Sequence, residues 1–211
     1  MTSVHLDSEA KAVQSIIDAG RFAAARGWVP ATSGNFSARI DARRIAVTKS
    51  GRDKGSLAPG DITSLSLDQP LPSGISAEAP LHVSLYVKKP SIGAVFHVHS
   101  PNAALLSRLC MGRPFLRLQG WELQKAFAGV PSHEAAIEIP VFGNDQDTTA
   151  LAARVESVLF EEILDTTRAP GYLLAGHGLY AWGETPADAG RHLEAFDGLF
   201  ALELEMMRMK P

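Results

Sequence analysis

The run Gly93-Ala94-Val95-Phe96-His97-Val98-His99 constrains the fold more than any other segment. Ala94, Val95 and Phe96 are continuously apolar, which reads as a buried strand over Gly93–Val98, with helices needed to cover the sheet it belongs to. Side chains two apart on a strand share a face, so His97 and His99 emerge side by side at its end. Any fold for this chain must bury an apolar strand and still find partners for two imidazoles.

The flanking pattern supplies the rest. Ala10, Val13, Ile16, Ile17 and Ala24 recur at helical spacing, and Asp7 or Ser8 can cap a helix running to about Arg26, stopped by Gly27. Gly20 falls on the same face and permits close packing there. Short strands are expected at Asn35–Ile40, Arg44–Thr48 and Ile62–Leu65. Turns fall at Thr32-Ser33-Gly34 and Lys49-Ser50-Gly51, and a loop at Pro70–Gly74. Helices are expected over Glu78–Lys88, from Pro101 to about Leu109, over Trp121–Ala128, from Asp147 or Thr148 to Phe160, and from Thr185-Pro186 to about Met209. Ala136–Phe142, Gly171–Leu174 and Gly178–Trp182 read as further strands. No βαβ repeat is visible. The expected class is α/β: one domain over residues 1–211, with a mixed, largely antiparallel central sheet covered by helices.

With 211 residues, the chain suits a single domain with a substantial core. Hydrophobic residues at 45% and charged residues at 20% exclude a disordered or fibrous chain. A net charge of -3 without a basic patch removes nucleic acid and anionic membrane as expected partners. The N-terminus lacks the pattern of a signal peptide and no apolar run reaches eighteen residues, so a cytoplasmic location is expected. Cys110 is the single cysteine, which excludes a disulfide framework and reads as a small buried hydrophobe.

Seven histidines are present. Two neutral imidazoles side by side each need a partner, and one metal ion would satisfy both. Two solvated histidines at an exposed strand end explain the pair equally well. His177 lies in Gly176-His177-Gly178, where flanking glycines let the backbone bend and aim the ring; alone it reads as a turn histidine. His97, His99 and His177 together would form a three-histidine site with an open coordination position, the catalytic zinc arrangement. Thr32-Ser33-Gly34-Asn35 and Lys49-Ser50-Gly51 offer hydroxyls and N–H groups suited to an anion, with Lys49, Arg52 and Lys54 nearby. An ordinary pair of turns accounts for that pattern as well, and neither loop matches a P-loop or dinucleotide fingerprint.

Thr32-Ser33-Gly34-Asn35-Phe36-Ser37, Lys49-Ser50-Gly51, Ser76-Ala77-Glu78, His97-Val98-His99-Ser100 and Gly176-His177-Gly178 occur in the order and spacing of the class II aldolase/adducin family, and the chain resembles that family over nearly its whole length. Lys49–Gly55, Trp121–Phe127, Ile139–Phe142 and Asn144–Asp147 resemble its branch of dehydratases acting on a ketose 1-phosphate. The resemblance implies zinc (Zn2+) held by His97, His99 and His177, and a homotetramer with sites near subunit interfaces. It implies a sugar-phosphate substrate whose phosphate meets Asn35, Ser50, Gly51 and Ser76. Ala77 stands where relatives often carry a second hydroxyl. It also implies catalytic roles for Glu78, near the metal, and Glu122, as general acid/base. From composition alone, each would be a solvated helix carboxylate. Two other activities share the family's motifs: retro-aldol cleavage of a ketose 1-phosphate, and a non-catalytic adducin-like interaction module.

His82, four residues after Glu78, is expected to pair with it or with solvent. His133 and Glu134 have no assigned role. Leu193, Phe196, Leu199, Phe200, Leu202, Leu204, Met206 and Met207 cover more than one face of the last helix, so a neighbouring subunit is expected over the excess.

Overall fold

The computed structural model describes residues 2–160 and 167–209. Helix α1 (Thr2–Ala25) leads into β1 (Asn35–Arg39), β2 (Arg44–Thr48) and β3 (Ile62–Ser66). Then follow α2 (Ala79–Lys88), β4 (Ala94–Val98), α3 (Pro101–Leu109), β5 (Phe115–Leu118) and β6 (Ile137–Phe142). The order closes with α4 (Thr148–Leu159), β7 (Thr167–Arg168), β8 (Gly171–Leu174), β9 (Gly178–Gly183) and α5 (Pro186–Met209).

Among the described residues the strands form one sheet in the order β3-β2-β1-β4-β9-β8-β6-β5, with β7 beside β6. Only β6 pairs in parallel, with β7 and β8; every other pairing is antiparallel. The apolar strand β4 lies inside the sheet between β1 and β9. Its alternation divides the core in two. Ala94, Phe96 and Val98 pack with residues of α1, α3 and α5, while Val95 faces Leu81 and Leu85 of α2 and Leu151 and Val155 of α4. His97 and His99 follow Val95 at even spacing and emerge on the α2/α4 face.

Local chemistry sets the boundaries. Ser100 caps α3 by accepting from the Ala103 N–H at 3.1 Å, with Pro101 in the first turn. Asp147 caps α4 through the Ala150 N–H at 3.0 Å. The Thr185 hydroxyl accepts from the Asp188 N–H at 3.1 Å at the start of α5. Helix α1 begins at Thr2 rather than at the Asp7 or Ser8 cap; nothing in Thr2–Leu6 breaks a helix, so the extra turn forms. A Cβ on Gly20 would lie 2.2 Å from the Lys54 carbonyl oxygen, so α1 approaches that loop as closely as its glycine suggested.

The helix expected over Trp121–Ala128 is a 3₁₀ turn, Glu122–Ala126. The Gln124 and Phe127 N–H groups bond carbonyls only three residues back, at 3.0 Å each, as short helical runs tend to do. Strand β5 was not expected. Leu116 and Leu118 are buried while Arg117 is exposed, a period-two pattern too short to stand out. In α5, Leu193, Phe196, Leu199, Phe200 and Leu204 enter the chain's own core, while Leu202 and Met206 remain 39% and 44% exposed. No described helix is long and apolar enough to cross a membrane.

Candidate metal centre and active site

Three adjacent strands build the floor of the site. Asn35 of β1 stands opposite His97 of β4, and His97 opposite Tyr180 of β9. The His97 ring stacks on Tyr180 with centroids 4.0 Å apart and 16° between planes, and Tyr180 stacks in turn on Tyr172. His97 is wholly buried. Its Nδ1–H donates to the Leu179 carbonyl at 3.0 Å, which leaves Nε2 as the bare nitrogen facing the site.

The turn between β8 and β9 brings in the third histidine. Gly176 has φ +66°, a region L side chains avoid, and a Cβ on Gly178 would lie 2.2 Å from the Val98 carbonyl. Both flanking glycines are therefore required to carry His177 over the end of β4. The His177 Nδ1–H donates to Asn144 Oδ1 at 3.2 Å, again leaving Nε2 free.

The three Nε2 atoms converge. His97 to His99 is 3.0 Å, His97 to His177 is 3.4 Å, and His177 to His99 is 2.9 Å. Glu78 approaches them: Oε2 is 3.5 Å from His97 Nε2, and Oε1 is 3.4 Å from His177 Nε2. One donor atom from each of the four residues lies within 4.8 Å of the others. Tetrahedral Zn–N bonds of about 2.0–2.1 Å place ligand nitrogens about 3.3 Å apart, close to these spacings. Burial, then the neighbouring His99 and His177, push the His97 imidazole well below its ordinary range. Burial, then His177, lower His99 to about 4. Converging imidazole nitrogens, with burial favouring the neutral form of His97 and His99, fit a divalent cation.

Both glycine-serine loops reach this centre. A pocket of about 180 Å³ is lined by Ser33, Gly34, Ser50, Gly51, Ser76 and Lys54 together with Asn35, Glu78 and His99. The sequence-predicted phosphate residues thus come together beside the histidines. The Ser50 N–H is donated to Gly74 O at 3.2 Å, so the hydroxyl is what Ser50 offers. The Ser76 hydroxyl accepts from the Glu78 N–H at 3.2 Å. Of the cations noted in the sequence, Lys49 Nζ donates to Gly60 O at 2.7 Å and Arg52 pairs with Asp61 at 3.3 Å. Lys54 is buried, with Nζ donating to the carbonyls of Thr32 at 2.8 Å and Arg52 at 2.6 Å. It ties down a strained turn in which Ala31 and Thr32 have φ +51° and +63°.

Gly34 ends that turn with φ +75°, and a Cβ there would lie 2.6 Å from the His97 carbonyl. Gly34→Ala should cost about 2–3 kcal/mol and lower Tm by roughly 4–12 °C, measured by thermal unfolding. A Tm within a degree of the parent would show that the turn is not pinned against β4.

Three residues depart from expectation. His82 pairs with neither Glu78 nor solvent. Glu78 is the N-cap of α2, outside the helical repeat, and His82 is wholly buried. His82 Nε2 lies 2.5 Å from Asn35 Oδ1 and Nδ1 lies 2.6 Å from Ser37 Oγ. Asn35 also donates from Nδ2 to Glu78 Oε2 at 2.5 Å. The amide assigned to phosphate therefore commits its oxygen and one N–H elsewhere. Glu122 is not brought to the centre within one chain. Its side chain is 71% exposed on the 3₁₀ turn, paired with Lys125 at 2.6 Å and near His133 at 3.5 Å. The hydrogen bond from Lys125 and its charge hold the Glu122 carboxyl below the usual range.

Sequence reasoning missed Asn144, Ser37 and Tyr180 as neighbours of the centre. Ser37 shares a strand face with Asn35, a signal that becomes usable only once the register against β4 is known.

Burial pushes the His82 imidazole down to about 3. The folded ring stays neutral, while the unfolded ring takes a proton below about pH 6.5. Stability should therefore fall as pH drops from about 6.5 toward 3, by up to ~1.4 kcal/mol per pH unit from this ring alone. Denaturant unfolding at pH 7, 6 and 5 should show a shallower decline in His82→Phe than in the parent. Equal slopes would contradict a neutral buried ring.

Methylthioribulose-1-phosphate dehydratase of Bradyrhizobium sp. (strain BTAi1 / ATCC BAA-1182) is 57% identical over 198 residues, covering 93% of this chain and 92% of that protein. The protein of the same name from Marinobacter nauticus (strain ATCC 700491 / DSM 11845 / VT8) is 50% identical over 204 residues, covering 95% and 96%. Among solved structures, l-fuculose-1-phosphate aldolase from Thermus thermophilus superposes with a TM-score of 0.75 at 26% identity, covering 96% of this chain and all of that one. The family model "Class II Aldolase and Adducin N-terminal domain" matches residues 14–204, and the chain belongs to that family.

Proposed function

We propose that this chain is a metal-dependent lyase that dehydrates 5-methylthioribulose 1-phosphate to 2,3-diketo-5-methylthiopentyl 1-phosphate, a step of methionine salvage. The observation that carries the reading is the single pocket joining Ser50, Gly51 and Ser76 to the His97/His99/His177/Glu78 cluster. A phosphate held in the loops sets the substrate's carbonyl end against the metal ligands. The choice of dehydration over cleavage is supported by relatives of that name at 57% and 50% identity across nearly their whole length.

His97, His99 and His177 would hold the ion, zinc by the chemistry of the three-imidazole set, and Glu78 stands beside it. A divalent ion there supplies Lewis acidity toward the substrate's oxygens. The remaining work falls to the protein. Removal of water takes the C3 proton and the C4 hydroxyl, and the resulting enol tautomerises to the diketone. We assign removal of the C3 proton to Glu78, an acceptor lining the pocket beside the histidines. Protonating the C4 oxygen needs an acid, and we assign this to Glu122 of a second copy. Covering Glu122 by a neighbouring chain would desolvate it and favour the protonated form an acid requires. The exposed Leu202 and Met206 on α5 support such an assembly, taken here as a homotetramer in the cytoplasm.

Incubation with 5-methylthioribulose 1-phosphate followed by mass spectrometry tests the reading. The expected product has lost one water. Two carbon fragments would establish the aldolase reaction in its place, and no turnover by the zinc-loaded protein would refute both. The phosphate assignment has a separate expectation. Ser50→Ala and Ser76→Ala should each raise KM by roughly tenfold or more, the worth of a hydrogen bond to a charged group, with kcat little changed. Unchanged KM in both variants would move the phosphate elsewhere.

A further inference from the structure

The inner wall of the site continues into the protein as a line of buried polar groups. Tyr86 OH lies 3.0 Å from Ser37 Oγ. Ser37 Oγ lies 2.6 Å from His82 Nδ1, and His82 Nε2 lies 2.5 Å from Asn35 Oδ1. Asn35 Nδ2 lies 2.5 Å from Glu78 Oε2. Ser37, His82 and Tyr86 are at most 1% exposed, and Asn35 is 3% exposed. Buried polar groups in such number are costly unless each is satisfied, and here each finds the next.

The line has a direction, and its end fixes it. An ionised carboxylate only accepts, so Asn35 must turn Nδ2 toward Glu78 and Oδ1 toward His82. Asn35 Oδ1 only accepts, so His82 carries its proton on Nε2. His82 Nδ1 is then an acceptor and takes the Ser37 hydroxyl proton, in preference to the Val95 carbonyl at 3.4 Å. Ser37 Oγ in turn accepts from Tyr86. Burial pushes the Tyr86 phenol up, which keeps it a donor. Every donor therefore points toward Glu78. The tautomer is the reverse of that in His97 and His177, which carry their protons on Nδ1 and present bare Nε2 atoms to the centre.

We propose that His82 is a positioning residue for Glu78: acting through Asn35, it locks the carboxylate in the orientation that faces the three histidines. Glu78 makes no capping bond at the start of α2; the Tyr180 hydroxyl and two histidine nitrogens at 3.4–3.5 Å lie around its head group, and the 2.5 Å bond from Asn35 Nδ2 is its shortest contact. Without the His82 N–H, the Asn35 amide is free to rotate, and Glu78 loses its fixed donor. A misplaced acceptor costs rate far more than binding, because Ser50, Gly51 and Ser76 keep their places in the pocket. The kinetic consequence rests on the reading of Glu78 as a reacting group, whereas the geometric one does not.

The test uses the zinc-loaded protein and two variants. His82→Phe fills the ring's space but donates nothing. His82→Gln can return an amide N–H toward Asn35 Oδ1. In ¹⁵N-histidine-labelled parent protein, His82 should appear protonated on Nε2 and bare on Nδ1; the opposite tautomer would overturn the proposal. The ¹³Cδ resonance of Glu78 should shift in His82→Phe and return toward the parent position in His82→Gln. An unmoved resonance in a folded His82→Phe would overturn it as well. On substrate, His82→Phe should lose roughly 10–100-fold in kcat with KM within about twofold, and His82→Gln should recover most of that loss. A Gln variant as slow as the Phe variant would reduce His82 to a packing role. If no substrate is turned over, the proposed reaction fails, while the two resonances still decide the positioning role.

Discussion

His97→Ala should yield a protein that purifies without its metal and turns over at least roughly 10³-fold more slowly. The magnitude follows from the several kcal/mol that a Lewis-acidic ion contributes, at 1.36 kcal/mol per factor of ten. Of the three clustered histidines, His97 is the most buried. It is wholly buried, stacked on Tyr180 and oriented by the Leu179 carbonyl. Alanine there removes a donor atom and its support together, and solvent cannot easily enter to supply another ligand. Elemental analysis gives the metal content and a product assay the rate. His133→Ala is the matched comparison, because that ring is half exposed and lies outside the cluster. It should retain stoichiometric metal. A metal-replete His97→Ala, or a metal-free His133→Ala, would sink the assignment of the centre.

Glu78→Gln and Glu122→Gln should each lower kcat by roughly 10²–10⁴, the range for losing a general acid or base, but for different reasons. Glu78 lies at the centre within its own chain, 3.4–3.5 Å from two ligand nitrogens. If the three histidines hold the ion as proposed, its glutamine variant should retain the metal and lose only the ability to take up a proton. Glu122 is 71% exposed and paired with Lys125, away from its own chain's pocket. Its contribution must therefore come from a neighbouring copy. Mixing Glu122→Gln with His97→Ala under conditions that exchange subunits should then restore activity. One partner brings an intact metal centre, the other an intact Glu122. Recovery to a substantial fraction of parent activity is expected; none after verified exchange would remove Glu122 from the neighbour's site. Full activity in Glu122→Gln alone would remove it from the chemistry altogether.

Local sequence determined most of the element pattern. Pro101, Asp147 and Thr185-Pro186 state helix starts in local chemistry that needs no distant partner. The apolar run before His97 required a covered strand, and the period of two put His97 and His99 on one face. The glycines around His177 marked a backbone that only glycine can follow, one at φ +66° and one against the Val98 carbonyl. These signals are local, so they were legible without the fold.

What the tertiary structure decided is which strand neighbours which, and in what register. Asn35 stands opposite His97 only because β1 pairs with β4, which lies some sixty residues further along the chain. No local signal in Asn35–Arg39 specifies that pairing, since register is set by the whole buried face. The same pairing turned Asn35 from an apparent phosphate ligand into the link between His82 and Glu78. It placed Ser37 against His82, which is buried where α2 packs on the sheet instead of pairing with Glu78. Glu122 shows the complementary case: its motif was readable, yet packing leaves its side chain 71% exposed and paired with Lys125 rather than at the centre of its own chain. The residues that cluster at the centre were legible in the sequence because their types and local backbone are carried by the chain itself. Their connections depended on long-range pairing, which exists only after the sheet has closed.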